Sequence, residues 1–285
     1  MLDLAAPESS AWELGWPSYR QCPVERWQGG RHSVQQDYIA EEVPVSLVYN
    51  GVPHVVMLAT PTNLEEFALG FSITEDIVRH PAEILSTRVY NRKDGIEVRL
   101  KIPEQRRQGM ADKGRNLTGR TGCGLCGAST LQQAVRHPAP VSGGASVTSA
   151  ELLSALDELT QHQQLNRLTG AVHAAAWVLP SRGIQTIRED VGRHNALDKL
   201  VGALLRTGRN PADGFVIVTS RASYEMVQKT AVAGIGLLAA ISAPTGLAIR
   251  LAEETGLTLV GFAREDRHVV YSHSHRLIHR EADLV

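Results

Sequence analysis

Cysteine is scarce in this chain: three residues in 285, at Cys22, Cys123 and Cys126. So few cannot form the disulfide framework that holds small secreted domains together. An excess of charge of one sign is also lacking, since 29 basic residues face 30 acidic ones. Nothing global therefore argues for nucleic acid or an anionic membrane surface, and any anion binding has to be local. Long hydrophobic runs are missing as well. The most apolar stretch, Ala231 to Ile241, is too short to span a bilayer. The first twenty residues lack a basic segment followed by a continuous apolar one, so no secretory leader is expected. The expected compartment is a reducing cytoplasm. Internal repeats and low-complexity tracts are not seen. What remains is an ordinary globular composition, 43% hydrophobic and 21% charged. At this length it is enough for one large domain or two modest ones with a real core.

The pattern along the chain predicts three parts. Residues 1–34 read as an irregular arm that holds Trp12, Trp16 and Trp27 among polar residues. Residues 35–147 read as a β-rich N-terminal subdomain. In it, Val43 to Val48 and Pro53 to Leu58 flank Asn50-Gly51, a short-hairpin signal. Asn63 is expected to cap a helix reaching about Val78, and strands follow at Ile84 to Tyr90 and Ile96 to Ile102. From Pro103 to Gly122 the chain is polar and basic, and we expect a mobile loop over 103–127 that leads into the cysteine pair, with Arg106 and Arg107 solvated. Ser129 to Val135 has the makings of a short helix. Residues 148–285 then read as an α/β domain. Thr148-Ser149-Ala150-Glu151 is a capping box that opens an amphipathic helix. After it, short apolar strands alternate with helices, which argues for a layered and at least partly parallel sheet.

The chemistry concentrates in a few places. Cys123-Gly124-Leu125-Cys126 is flanked by Gly122 and Gly127, which leave the backbone free and the sulfurs uncovered. Arg115 and Arg120 favour thiolate over thiol. Taken alone, the pair reads equally as a metal half-site or a redox dithiol, with sulfur carriage behind both. A metal needs more ligands than Cys22 can add, and the basic lead-in fits a thioredoxin-like turn poorly. The second constellation runs from Glu189 to Lys199 and includes Asp190, Arg193, His194, Asn195 and Asp198 around a strand-to-helix junction. Asp190 reads as either a helix cap or a ligand contact. Part of the helix after it reads as a salt-bridged surface, with Asn195 spaced three and four from Asp198 and Lys199. Three loops follow predicted strands: Thr219 to Ser223 with Ser220 and Arg221, Ser242 to Gly246, and Phe262-Ala263-Arg264-Glu265-Asp266-Arg267. In open α/β sheets ligands collect beyond the carboxyl ends of strands, where hydroxyls, free N–H groups and arginines suit phosphate. Ser223 and Thr245 also read as helix caps. His173 sits in an apolar strand and reads as a satisfied core histidine. His268, His273, His275 and His279 read as solvated, and no metal is expected.

Taken together, these segments resemble the formate dehydrogenase accessory sulfurtransferase family, FdhD. The resemblance rests on Glu42-Val43-Pro44-Val45, Asn50-Gly51, Pro61-Thr62 to Glu75-Asp76, and Gly122 to Gly127. It continues through Gly170 to Ala175, Glu189 to Lys199, Thr219-Ser220-Arg221, Ser242 to Thr245, and Leu259 to Phe262. It covers about residues 35 to 280. The resemblance implies a sulfur carrier between a cysteine desulfurase and the bis(molybdopterin guanine dinucleotide) molybdenum cofactor, serving a formate dehydrogenase catalytic subunit. Cys123 would hold the persulfide and Cys126 would assist. Phe262 to Arg267 matches the family's cofactor-binding stretch. Guanine and phosphate contacts are expected there and from Asp190, Arg193, His194, Asn195, Ser220 and Arg221, with GDP as a mimic. The implied fold is a three-layer, cytidine-deaminase-like α/β sandwich with a mixed sheet, plus the smaller N-terminal β-rich subdomain, as a homodimer. No role carries onto residues 1–30 or onto Glu104 to Asn116, which have no counterpart. Zinc deamination is rejected, because the His-x-Glu and Pro-Cys-x-x-Cys pattern it needs is missing. A non-catalytic chaperone for the guanylated cofactor is the alternative, and it would not need the cysteine pair.

Overall fold

The computed structural model describes residues 15–112, 135–264 and 267–279. Cys123, Cys126, Glu265 and Asp266 lie outside the described residues, as do all but the last residue of the helix expected from Ser129 to Val135. The first element corrects the reading of an irregular arm. Strands β1 (Tyr19–Gln28) and β2 (Arg31–Ala40) form an antiparallel hairpin around Gly29-Gly30, both with positive φ. Such a two-residue turn matches strand twist. Hydrophobic alternation does not report this hairpin, because most of its side chains face water, Trp27 and Val34 included. Cys22 lies in β1, opposite Asp37.

Next comes a four-stranded sheet in the order β4-β3-β6-β5, built from β3 (Val43–Tyr49), β4 (Val52–Ala59), β5 (Ser86–Arg92) and β6 (Gly95–Lys101). The Asn50-Gly51 turn joins β3 to β4 as expected, and β3 runs parallel to β6. Helix α1 (Leu64–Thr74) covers this sheet. It stops earlier than expected, and Asn63 begins it through a left-handed backbone (φ 52°) with no side-chain cap. The basic stretch is also corrected in part, for residues 104–112 form helix α2 (Glu104–Asp112). Arg106 donates to Glu83 at 2.7 Å, and Arg107 pairs with Glu104 one turn back, so neither is merely solvated.

The remaining chain builds a six-stranded mixed sheet in the order β13-β12-β11-β10-β8-β9. Its strands are β8 (His173–Leu179), β9 (Gly183–Asp190), β10 (Phe215–Val218), β11 (Leu237–Ala240), β12 (Thr258–Arg264) and β13 (Arg267–Ser272). A short pair, β7 (Val147–Thr148) and β14 (Leu277–Ile278), lies apart. Strands β10, β11 and β12 are mutually parallel, while β8 is antiparallel to both its neighbours. Because side chains alternate along a strand, Ala174, Ala176 and Val178 pack under helix α3 (Ser149–His162), while Ala175 and Trp177 face the other way. The capping box of α3 forms as expected: Glu151 N–H donates to the Thr148 hydroxyl, and Thr148 N–H to the Glu151 carboxylate at 2.8 Å. A short helix, α4 (Gln164–Thr169), follows it. The opposite face carries α5 (Arg193–Arg206), α6 (Tyr224–Val232) and α7 (Gly246–Thr255). The sheet is therefore covered by helices on both faces. Helix α6 is shorter than expected, with a turn at Ala233–Gly236 before β11.

The two sheets meet through α1 and α5, which cross backbone to backbone. A Cβ on Gly70 would lie 1.8 Å from the Asp198 carbonyl oxygen, and one on Gly202 would lie 1.9 Å from that of Glu66. Arg188 on β9 and Glu66 on α1 close a nearly buried ion pair beside the crossing, at 2.6 Å. Among the described residues no helix is long and apolar enough to cross a membrane.

Candidate functional site

The carboxyl ends of β9, β10, β11 and β12 open along one edge of the six-stranded sheet, and β8 starts there with His173 opposite Asp190. The loops after these strands are tied to one another. Ala222 bridges to Pro244, Thr245 N–H donates to the Ala222 carbonyl at 3.0 Å, and Phe262 N–H to that of Ser242 at 3.3 Å. The three loops picked out in the sequence thus form one ledge, and the segment from Glu189 to Lys199 lies along the same edge.

Along this edge the predicted residues divide into those that face outward and those that hold the ledge. Asp190 is fully buried and holds the adjoining end of β9. One carboxylate oxygen accepts from Thr60 N–H at 3.0 Å and lies 2.7 Å from Lys199 Nζ. The other accepts from Gly192 N–H at 2.8 Å and Asn195 Nδ2 at 3.0 Å. Asn195 also donates to the Leu58 carbonyl, and Lys199 to that of Thr60. Gly192 is required here, since a Cβ would sit 2.8 Å from Asn195 Nδ2. Both Asp190 carboxylate oxygens and the Asn195 amide nitrogen are thus bonded within the protein. Their job is to tie β9 and α5 to the β4–α1 turn. Ala263 is fully buried in the core under β12.

Arg221, Arg264 and Arg267 are exposed, and Phe262 is half-buried. Arg264 and Arg267 are direct cross-strand partners at the β12–β13 tip. Like charges placed opposite each other repel, so two guanidinium groups are held side by side at this tip, in a turn whose sequence also carries Glu265 and Asp266. The Ser220 hydroxyl is buried and donates to the Arg221 carbonyl at 3.0 Å. Ser223 precedes α6 but makes no cap hydrogen bond, whereas Thr245 does cap α7 by accepting from Ala248 N–H.

His194 opens the first turn of α5 and is buried. Its Nε2 lies 2.5 Å from a Glu225 carboxylate oxygen, out of line for a good hydrogen bond. His173 is half-buried; desolvation first, then the charges of Arg193 and His194, hold it below the usual histidine range. Glu225 went unmarked in the sequence, and its only signal was an acid in the first turn of a helix.

A second polar cluster lies deeper, and it corrects the reading of a salt-bridged surface after Asn195. Asp198 points inward and accepts from Thr74 Oγ1 at 2.7 Å and Lys229 Nζ at 2.9 Å. Lys229 also reaches Glu75 at 2.9 Å. Burial raises the Asp198 carboxyl, while for Lys229 the charges of Asp198 and Glu75 outweigh burial and hold the ammonium above its usual range. Among the described residues, no three His, Cys, Asp or Glu side chains gather as a metal site requires.

The sequence profile described as the FdhD/NarQ family matches residues 40–278 of this chain. A Cupriavidus necator protein named sulfur carrier protein FdhD is 51% identical over 268 residues, which span 94% of this chain and 93% of that one. A protein of the same name from Xanthomonas euvesicatoria is 50% identical, over 89% of this chain and 90% of its own. Among solved structures, a candidate formate dehydrogenase accessory protein from Desulfotalea psychrophila superposes with a TM-score of 0.72. It is 23% identical and covers 92% of this chain and all of its own, which speaks to the fold alone.

Proposed function

The chain belongs to the FdhD/NarQ family, and from that premise we propose that it is a sulfur carrier for formate dehydrogenase maturation. In this reading Cys123 accepts sulfur from a cysteine desulfurase. The Cys123 thiolate attacks the terminal sulfur of the donor's persulfide, the new S–S bond forms on Cys123, and the donor cysteine leaves as thiolate. Cys126 assists the onward movement. The sulfur then goes to a substrate held on the ledge, the bis(molybdopterin guanine dinucleotide) cofactor, which is passed to the catalytic subunit of the dehydrogenase. We further propose a cytoplasmic homodimer with a cytidine-deaminase-like arrangement of its larger sheet and helices.

One observation carries the ligand half of this proposal: three stitched loops present Arg221 and the opposed Arg264 and Arg267 at the carboxyl ends of parallel strands. This donor set suits the phosphates of a guanine dinucleotide. Arginines pair with phosphate oxygens, the Phe262 ring offers a face to a base, and the buried Asp190 network fixes β9 and α5 beside the ledge.

Two measurements on the unaltered protein test the proposal. Incubation with a cysteine desulfurase and cysteine should add about one sulfur per site, read by intact mass and lost on reduction. Calorimetry should show GDP binding in preference to ADP. A chain that binds GDP but never gains sulfur would be a cofactor chaperone instead, and equal binding of both nucleotides would leave only a general anion site.

A further inference from the structure

His173 reads from its sequence neighbours as a satisfied core residue, yet the fold leaves its ring unused. It is the first residue of β8 and half-buried, and among the described residues its imidazole makes no hydrogen bond. Its place is closely fixed. Val218 pairs with Ala175, Ala174 N–H donates to Thr219 Oγ1 at 2.9 Å, and Thr219 N–H donates to the Ala174 carbonyl at 3.1 Å. His173 therefore stands beside the Ser220–Arg221 turn of the ledge, one strand spacing or about 5 Å from the end of β10. Alternation along β8 puts its side chain on the face of Ala175 and Trp177, where α5 packs.

The groups around this ring are positive on balance. Desolvation first, then the charges of Arg193 and His194 in the first turn of α5, keep it neutral. Asp190 on β9 acts against them, but its carboxylate is already paired with Lys199 at 2.7 Å. Gly192, where α5 begins, brings no side chain to the first N–H groups of that helix, and such a helix start favours an anion. A ligand phosphate in this corner would reverse the balance, because an adjacent opposite charge favours the protonated ring. An extended ligand could span the positions involved. Strand order β12-β11-β10-β8 sets His173 three spacings, about 15 Å, across from the Arg264–Arg267 tip, with Arg221 between them.

We propose that His173 is a ligand-contacting residue, which pairs with a phosphate of the nucleotide on the ledge and takes one proton from solvent as it does so. The inference rests on the nucleotide reading of the ledge above and needs nothing from the cysteine pair. The free ring sits below the ordinary histidine range, and the bound phosphate moves it up. The complex therefore holds the extra proton, and affinity weakens as pH rises through the bound-state value.

The test is GDP binding to the full chain and to His173→Gln, by calorimetry in two buffers of different ionisation enthalpy. Glutamine keeps a hydrogen-bond donor but cannot take the proton. The unaltered protein should bind GDP about tenfold more tightly than the variant at about pH 6 and within about twofold of it at about pH 8, and it should take up more protons. The terminal phosphate of GDP titrates alike in both arms, so the difference reports His173. The variant should keep the parent's thermal midpoint, since the ring holds nothing in the fold. The same ratio at both pH values, with equal proton uptake, overturns the proposal. Histidine-ring NMR of the unaltered protein gives a reading that needs no variant: at about pH 7 one imidazole should become protonated when GDP is added, and if none does the proposal fails. An unaltered protein that binds no GDP would overturn the nucleotide reading itself, before His173 enters.

Discussion

Cys123→Ala is expected to abolish persulfide loading and reduce formate dehydrogenase activity to the background of cells lacking the accessory protein. A carrier of sulfane sulfur needs an exposed thiolate free of permanent ligands in electropositive surroundings. Cys123 meets this on sequence grounds: Arg115 and Arg120 precede it, and Gly122 and Gly124 flank it. No other residue type forms a persulfide, so loss of this sulfur is not a matter of degree. Cys126→Ala should impair delivery less completely, and Cys22→Ala should change nothing, since Cys22 lies on the β1–β2 hairpin and belongs to no Cys-x-x-Cys pair. The alanine variants should keep the thermal midpoint and GDP affinity of the parent. Full complementation by Cys123→Ala would sink sulfur carriage and leave cofactor binding as the protein's role.

Lys199→Met should cost about 3–5 kcal/mol, the usual penalty for leaving one member of a buried ion pair alone. Both Lys199 and Asp190 are fully buried at 2.7 Å. Methionine fills similar space, but the Asp190 carboxylate would keep only its hydrogen bonds from Thr60, Gly192 and Asn195. For a chain of this size the loss corresponds to a fall in melting temperature on the order of 10 °C. GDP affinity should fall with it, because the same network fixes the end of β9 and the start of α5, which lie along the edge that carries the ledge. Pairing the change with Asp190→Asn should recover part of the stability, as coupled neighbours do in a double-mutant cycle. A Lys199→Met protein that melts within a degree of the parent would show that the pair is not closed as described.

The parts of the fold that were legible in the sequence are those where local chemistry and burial agree. Asn50-Gly51 demands a tight turn, Thr148 and Glu151 can satisfy each other only at a helix start, and the short apolar runs at Phe215 and Leu257 fit strands covered on both faces. The ledge loops were legible for a similar reason, since hydroxyls and arginines after such strands have few other uses. The hairpin at residues 19–40 was missed because its side chains face water on both sides. Asp190, Asn195, Asp198 and Lys199 were read as outward-facing because polarity normally reports exposure. Here the helix is pressed between α1 and the larger sheet, and its polar residues answer one another across more than 120 positions of sequence, as in Thr74 with Asp198 and Thr60 with Asp190. No local pattern carries such a pairing. Residues 104–112 were read as loop from their composition, and tertiary ion pairs such as Arg106 with Glu83 hold a helix that propensity alone would not announce.

Phe262 has a consequence for anyone who would make this protein tougher. Its φ is 51°, and the other non-glycine residues with positive φ among those described are Asn50, Asn63, Asp76, Ser181 and His273, smaller or polar types. A bulky aromatic in that conformation carries about 1–3 kcal/mol of local strain. Selection for heat tolerance alone would steer this position toward glycine. Under the proposed function the ring's contact with a bound base offsets that strain. Thermal hardening of this family is therefore best confined to positions such as the exposed faces of β1 and β2, away from the strained tip.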